Sequence, residues 1–129
     1  MTTFAATGLA VADLERSTAF YVDVFGMTKQ QTYDLDHMTE HILGFEGRRG
    51  PGLVLMEYKG KAKPAHDVEA TKFVFYVDDV ATIAASIREA GGRITYEPTA
   101  APGFGGATIG FAVDLDGYLL ELVQLPAKP

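Results

Sequence analysis

The sequence has no cysteine, which excludes disulfides, thiolate metal sites and a cysteine nucleophile. It is also short of positive charge. Eleven Lys and Arg stand against seventeen Asp and Glu, a net charge of −6. Nucleic acids and anionic membrane surfaces need a basic patch, so neither is an expected partner. No apolar run approaches the length that spans a bilayer. The stretch from Phe4 to Ala12 is mildly apolar, lacks a basic leader and soon meets Asp13, Glu15 and Arg16, so no signal peptide is read there. With the lack of cysteine, this fits a cytoplasmic protein. GFGGATIG (residues 103–110) lacks the Lys-Ser/Thr ending of a phosphate loop, and no Ser-His-Asp order with a nucleophile elbow is visible.

What is present suits a single domain with a real core: 129 residues, 47% apolar and 22% charged. The stretch Asp114 to Leu122, DLDGYLLEL, reads as a hairpin. Asp116-Gly117 is a tight-turn dipeptide, with apolar runs at Ile109–Val113 and Tyr118–Val123 on either side. Glu121 is the one carboxylate in the second strand. Upstream, residues 4–11 read as a strand. Asp13 then caps a helix whose apolar positions are Leu14, Phe20, Tyr21, Val24 and Phe25, and Gly26 stops it. Residues 29–35, 41–47 and 53–59 read as strands, the last two joined by Arg48-Arg49-Gly50-Pro51, and 60–70 as a connector.

The pattern then restarts. Lys72–Val77 is a strand, and Asp78 or Asp79 caps a second helix marked by Val80, Ile83, Ala84 and Ile87. Gly91-Gly92 ends that helix, 93–97 is a strand, and 98–107 a Gly/Pro-rich loop. Val11-Ala12-Asp13-Leu14 matches Val77-Asp78-Asp79-Val80, Gly26 matches Gly92, and Leu55-Met56-Glu57 matches Leu119-Leu120-Glu121. Each half, about 1–60 and 70–127, reads strand–helix–strand–strand–strand. The expected fold is α+β: paired βαβββ modules giving a curved eight-stranded mixed sheet with helices on one face and a concave ligand cup on the other. The repeat makes Glu57 and Glu121 symmetry mates, and likewise Ala6 and Lys72. Strand alternation then adds Leu55, Val74, Tyr76, Leu119 and Val123 to the same lining. Phe104, within Pro102–Gly106, is read either as part of a flap over the mouth or as part of a plain surface loop.

The segments VADLERSTAFYVDVFGM, VDDVATIAASIREAGGRI and DLDGYLLEL together resemble the vicinal oxygen chelate superfamily, the glyoxalase/bleomycin-resistance/dioxygenase group. In wording the chain is most similar to lactoylglutathione lyases. The resemblance implies a homodimer of paired βαβββ modules. It also implies a divalent metal held by His on the first strand, Glu on the fourth, His on the fifth and Glu on the eighth. Those positions fall here on Ala6, Glu57, Lys72 and Glu121, so both glutamates are present and both histidines are replaced. Two carboxylates are a weak site for zinc or nickel, and an ammonium repels a cation. No metal ligands and no cofactor are therefore expected, with a divalent ion doubtful.

The leading expectation is a glyoxalase-like lyase or isomerase acting on a small organic molecule. Glu121 would be general base, Glu57 its partner, and Lys72 an electrophile or charge balancer. A plain surface lysine is the alternative reading of Lys72. A non-catalytic drug- or metabolite-binding protein of the bleomycin-resistance type is the competing function, and a metal-dependent dioxygenase ranks third. HMTEH, carrying His37 and His41, has the spacing of an inverted zinc-protease motif. That motif needs a helix, and this segment lies among strands, so a solvated connection is preferred. One of the two histidines swinging into the cup is the remaining route to a metal site.

Overall fold

The computed structural model describes residues 1–47 and 50–127, so Arg48 and Arg49 of the expected turn lie outside the described residues. The chain divides into two compact units, Met1–Ala65 and the part from His66 onward. In the first unit the order is β1 (Ala6–Ala10), α1 (Leu14–Phe25), β2 (Thr28–Asp34), β3 (Met38–Gly44) and β4 (Gly52–Tyr58). Its sheet runs β1-β4-β3-β2, with β1 parallel to β4 and the other pairs antiparallel.

Helix α1 starts where Asp13, in extended conformation, accepts the Arg16 N–H at 3.1 Å. It ends at Gly26, whose φ of 71° is the left-handed value that glycine adopts without strain. Leu14, Phe20, Tyr21 and Val24 form its buried stripe. They cover Leu43, Leu53 and Leu55, which are also buried.

The second unit repeats the plan: β5 (Lys72–Tyr76), α2 (Val80–Glu89), β6 (Arg93–Ala101), β7 (Ala107–Val113) and β8 (Leu119–Gln124). The sheet runs β5-β8-β7-β6, again with one parallel pair, β5 with β8. The eight expected strands thus hydrogen-bond as two sheets of four. Asp79 caps α2 by accepting the Ala81 and Thr82 N–H groups. In the β7–β8 turn, buried Asp114 accepts the N–H groups of Asp116 and Tyr118, each at 2.9 Å, and Gly117 takes φ 87°. No helix among the described residues is long and apolar enough to cross a membrane.

Two boundaries differ from the sequence reading. Residues 98–101 belong to β6 rather than to a loop. Pro98 lies where the β6–β7 register shifts between Tyr96 and Thr99, a bulge that accommodates a residue with no N–H to donate. Only a short helical turn, Pro102–Phe104, and two glycines separate β6 from β7. Strand β3 begins at Met38, so most of HMTEH is extended strand. His41 packs under α1, 2% exposed, with its Nδ1 2.7 Å from Thr18 Oγ1. That burial rules it out as a ligand on the sheet's open face, and a strand does not supply the helical geometry of the protease motif.

Candidate functional site

Residues paired across neighbouring strands project from the same face of a sheet. In the second unit Lys72 pairs with Leu119, Val74 with Glu121 and Tyr76 with Val123. Glu121 also faces Phe111, which pairs with Tyr96. The intervening residues Leu120 and Leu122 are fully buried on the α2 side. Lys72 and Glu121 therefore both stand on the face of the sheet away from α2.

There the Lys72 Nζ lies 2.7 Å from Glu121 Oε1. The Lys72 side chain is 47% exposed and that of Glu121 only 14%. The ion pair forms part of a concavity of about 380 Å³, lined also by Tyr96, Thr99, Ala100, Ala101, Phe104, Ile109 and Phe111. Tyr96 and Phe111 meet edge to face, 6.2 Å between centroids and 71° between planes. Phe104, on the short turn, joins the lining while remaining 72% exposed. The Thr99 hydroxyl donates to the Glu97 carbonyl at 2.7 Å. Chemically this is a neutral charge pair set in an aromatic and aliphatic wall.

Of the expected lining residues, Lys72, Glu121 and Phe104 meet at this concavity. Val74, Tyr76 and Leu119 share its sheet face by register but lie outside its wall. Ala6 opens β1 and alternates with buried Leu9, so it faces away from α1, matching Lys72 in β5.

Glu57 and Leu55 are corrections. Leu55 is completely buried beneath α1 and lines no ligand cup. Glu57, two residues on, shares that face, and its Oε1 accepts the Leu14 N–H at 3.0 Å. It caps the helix and is not the structural counterpart of Glu121. The pairings show why. Two residues along from the opening pairs Ala6–Gly52 and Lys72–Leu119 lie Gly8–Val54 and Val74–Glu121. The first-unit counterpart of Glu121 is therefore Val54. The counterpart of Glu57 is Gln124, whose Oε1 accepts the Val80 N–H at 2.8 Å.

The donor chemistry of these positions can be compared with what a divalent ion needs. The four positions implied by the resemblance supply a methyl group at Ala6, a carboxylate committed to a helix at Glu57, and an ammonium at Lys72 paired with Glu121. Among the described residues, no three His, Cys, Asp or Glu side chains gather as a metal-holding group. Such a donor set does not fit a divalent ion.

Sequence reasoning missed Tyr96, Thr99, Ala100, Ala101, Ile109 and Phe111. Ile109 and Phe111 were within reach, since their alternation in β7 places them beside Glu121. The β6 residues were hidden by Pro98 and its loop-like surroundings.

The architecture is two βαβββ units, one carrying a concavity of about 380 Å³ on the sheet face away from its helix. Residues 3–122 match the model of the Glyoxalase/Bleomycin resistance protein/Dioxygenase superfamily, and the chain belongs to that family. It is 34% identical over 122 residues to the lactoylglutathione lyase of Haemophilus influenzae, covering 92% of this chain and 89% of that one. It is 32% identical to lactoylglutathione lyase GLX1 of Arabidopsis thaliana, of which it spans only 43%. Among solved structures, trypanothione-dependent glyoxalase I of Leishmania major superposes with a TM-score of 0.80 at 30% identity, over 96% of this chain and 87% of that one.

Proposed function

We propose that this protein is a glyoxalase-family member that binds a small organic molecule at the Lys72–Glu121 concavity without a divalent metal. The observation that carries this reading is the 2.7 Å ion pair. At that spot the lysine ammonium occupies the place of a metal ligand and pairs with Glu121, the carboxylate in the lining of the concavity. The surrounding wall suits a ligand with an apolar body and a polar tip. A homodimer, as the resemblance implies, and a cytoplasmic location, which the lack of cysteine fits, are part of this reading. A screen of aromatic and aliphatic compounds by thermal shift, with excess EDTA, tests it. Hits that persist in EDTA and weaken in Phe104→Ala support it. Hits that appear only after zinc or nickel is added contradict it.

A second reading is favoured by the lactoylglutathione lyases at 32% and 34% identity: a lyase or isomerase in which Glu121 moves a proton and Lys72 stabilises the developing oxyanion. Glu57 has no part in it, being committed to α1. Turnover of a bound compound that is lost in Glu121→Gln while binding persists would establish this reading. A metal-dependent dioxygenase is not supported by the donor set.

A further inference from the structure

We infer that the ligand is a planar aromatic molecule ending in a neutral edge that carries a hydrogen-bond acceptor beside a donor, as a carboxamide or lactam does. This rests on the binding reading above and specifies its ligand. A lysine ammonium only donates and an ionised carboxylate only accepts. With Nζ and Oε1 2.7 Å apart, the concavity presents a donor and an acceptor side by side. An amide edge complements both at once: its carbonyl accepts from Lys72 and its N–H donates to Glu121.

Charge narrows the choice. Lys72 and Glu121 are the charged members of the lining and they neutralise one another. An anionic tip would compete with Glu121 for the ammonium and meet the carboxylate at close range. A cationic tip would do the reverse. Either leaves one charge poorly compensated against Ile109, Phe111 and Phe104, where solvent screening is reduced. A neutral edge leaves the pair intact.

The body follows from the aromatic wall. Tyr96 and Phe111 offer one edge-to-face pair. Phe104, 72% exposed on its turn, presents a ring that gains burial when a flat partner arrives.

Three probes of nearly equal shape separate the possibilities: 2-naphthamide, 2-acetonaphthone, which only accepts, and 2-naphthoate, which is anionic. Equilibrium binding to the full chain is measured by calorimetry. The amide is expected to bind about tenfold tighter than either companion, the scale of one well-made polar contact. Glu121→Gln, which weakens the acceptor for the amide N–H, is expected to reduce the preference over 2-acetonaphthone to about threefold or less, whereas Lys72→Met, which removes the donor to the carbonyl, is expected to weaken the amide and 2-acetonaphthone together. Tightest binding by 2-naphthoate, weakening with salt, overturns the inference in favour of an anion site. Equal binding by all three overturns it by showing that the ion pair goes unread, while leaving the binding reading standing. Failure of every probe to bind overturns the inference, and loss of compound hits in the wider screen is what would remove the binding reading itself.

Discussion

Glu57 and Gln124 hold matching places in the two units. Each side-chain Oε1 accepts the N–H of the first residue of its unit's helix, Leu14 at 3.0 Å and Val80 at 2.8 Å. One is charged and the other neutral, and both relieve a backbone donor that the helix itself leaves unpaired. The role is therefore structural, and the carboxylate at Glu57 adds a favourable interaction with the helix N-terminus.

Glu57→Ala is expected to lower unfolding free energy by about 1 kcal/mol through loss of this cap. Glu57→Gln, which copies Gln124, should cost about 0.5 kcal/mol or less. Urea unfolding measures both. Ligand affinity should be the same in wild type and both variants, and a large drop would place Glu57 at the site after all.

His41 links stability to pH. Burial between α1 and β3 pushes its pKa below 6.5, with Lys29 acting in the same direction and Glu15 and Glu57 opposing. The unfolded chain therefore takes up the proton at higher pH than the folded one. The His41 contribution is fully present above about 6.5 and is lost as pH falls toward the lowered folded value. Unfolding free energy should decline as pH falls below about 6.5, by at most about 1.4 kcal/mol per pH unit for one proton. His41→Gln should flatten that decline. An unchanged slope in the variant would assign the effect to other groups.

Phe104 separates binding from folding. The ring is 72% exposed, so Phe104→Ala should leave stability within about 0.5 kcal/mol. Loss of an aromatic contact should nonetheless weaken an aromatic ligand by about fivefold to tenfold. Unaltered affinity would move the ligand away from the β6–β7 turn.

Much of this architecture is written in local chemistry. Asp13 caps the first helix as expected, Asp79 rather than Asp78 caps the second, and Asp116-Gly117 makes the expected turn. The site was less legible. Matching Leu55-Met56-Glu57 to Leu119-Leu120-Glu121 by letters put Glu57 on the wrong face, because strand side chains alternate and an odd-numbered shift in register reverses every one. The ladder instead aligns Glu57 with Gln124, a match that hydrogen bonding reveals and residue identity conceals. Pro98 misled in the same way: a bulge let β6 continue through a residue that usually ends a strand. The match of Lys72 to Ala6 keeps step, because both strands open their parallel pairings at these residues.

The most direct test of the central claim is calorimetric titration of chelator-treated protein with zinc and nickel, run on wild type and Glu121→Gln. Because Lys72 holds Glu121 at 2.7 Å and Glu57 serves α1, no stoichiometric ion should bind in either protein. One tightly held ion per chain in wild type, lost in Glu121→Gln, would contradict the claim and return metal-dependent chemistry to the site.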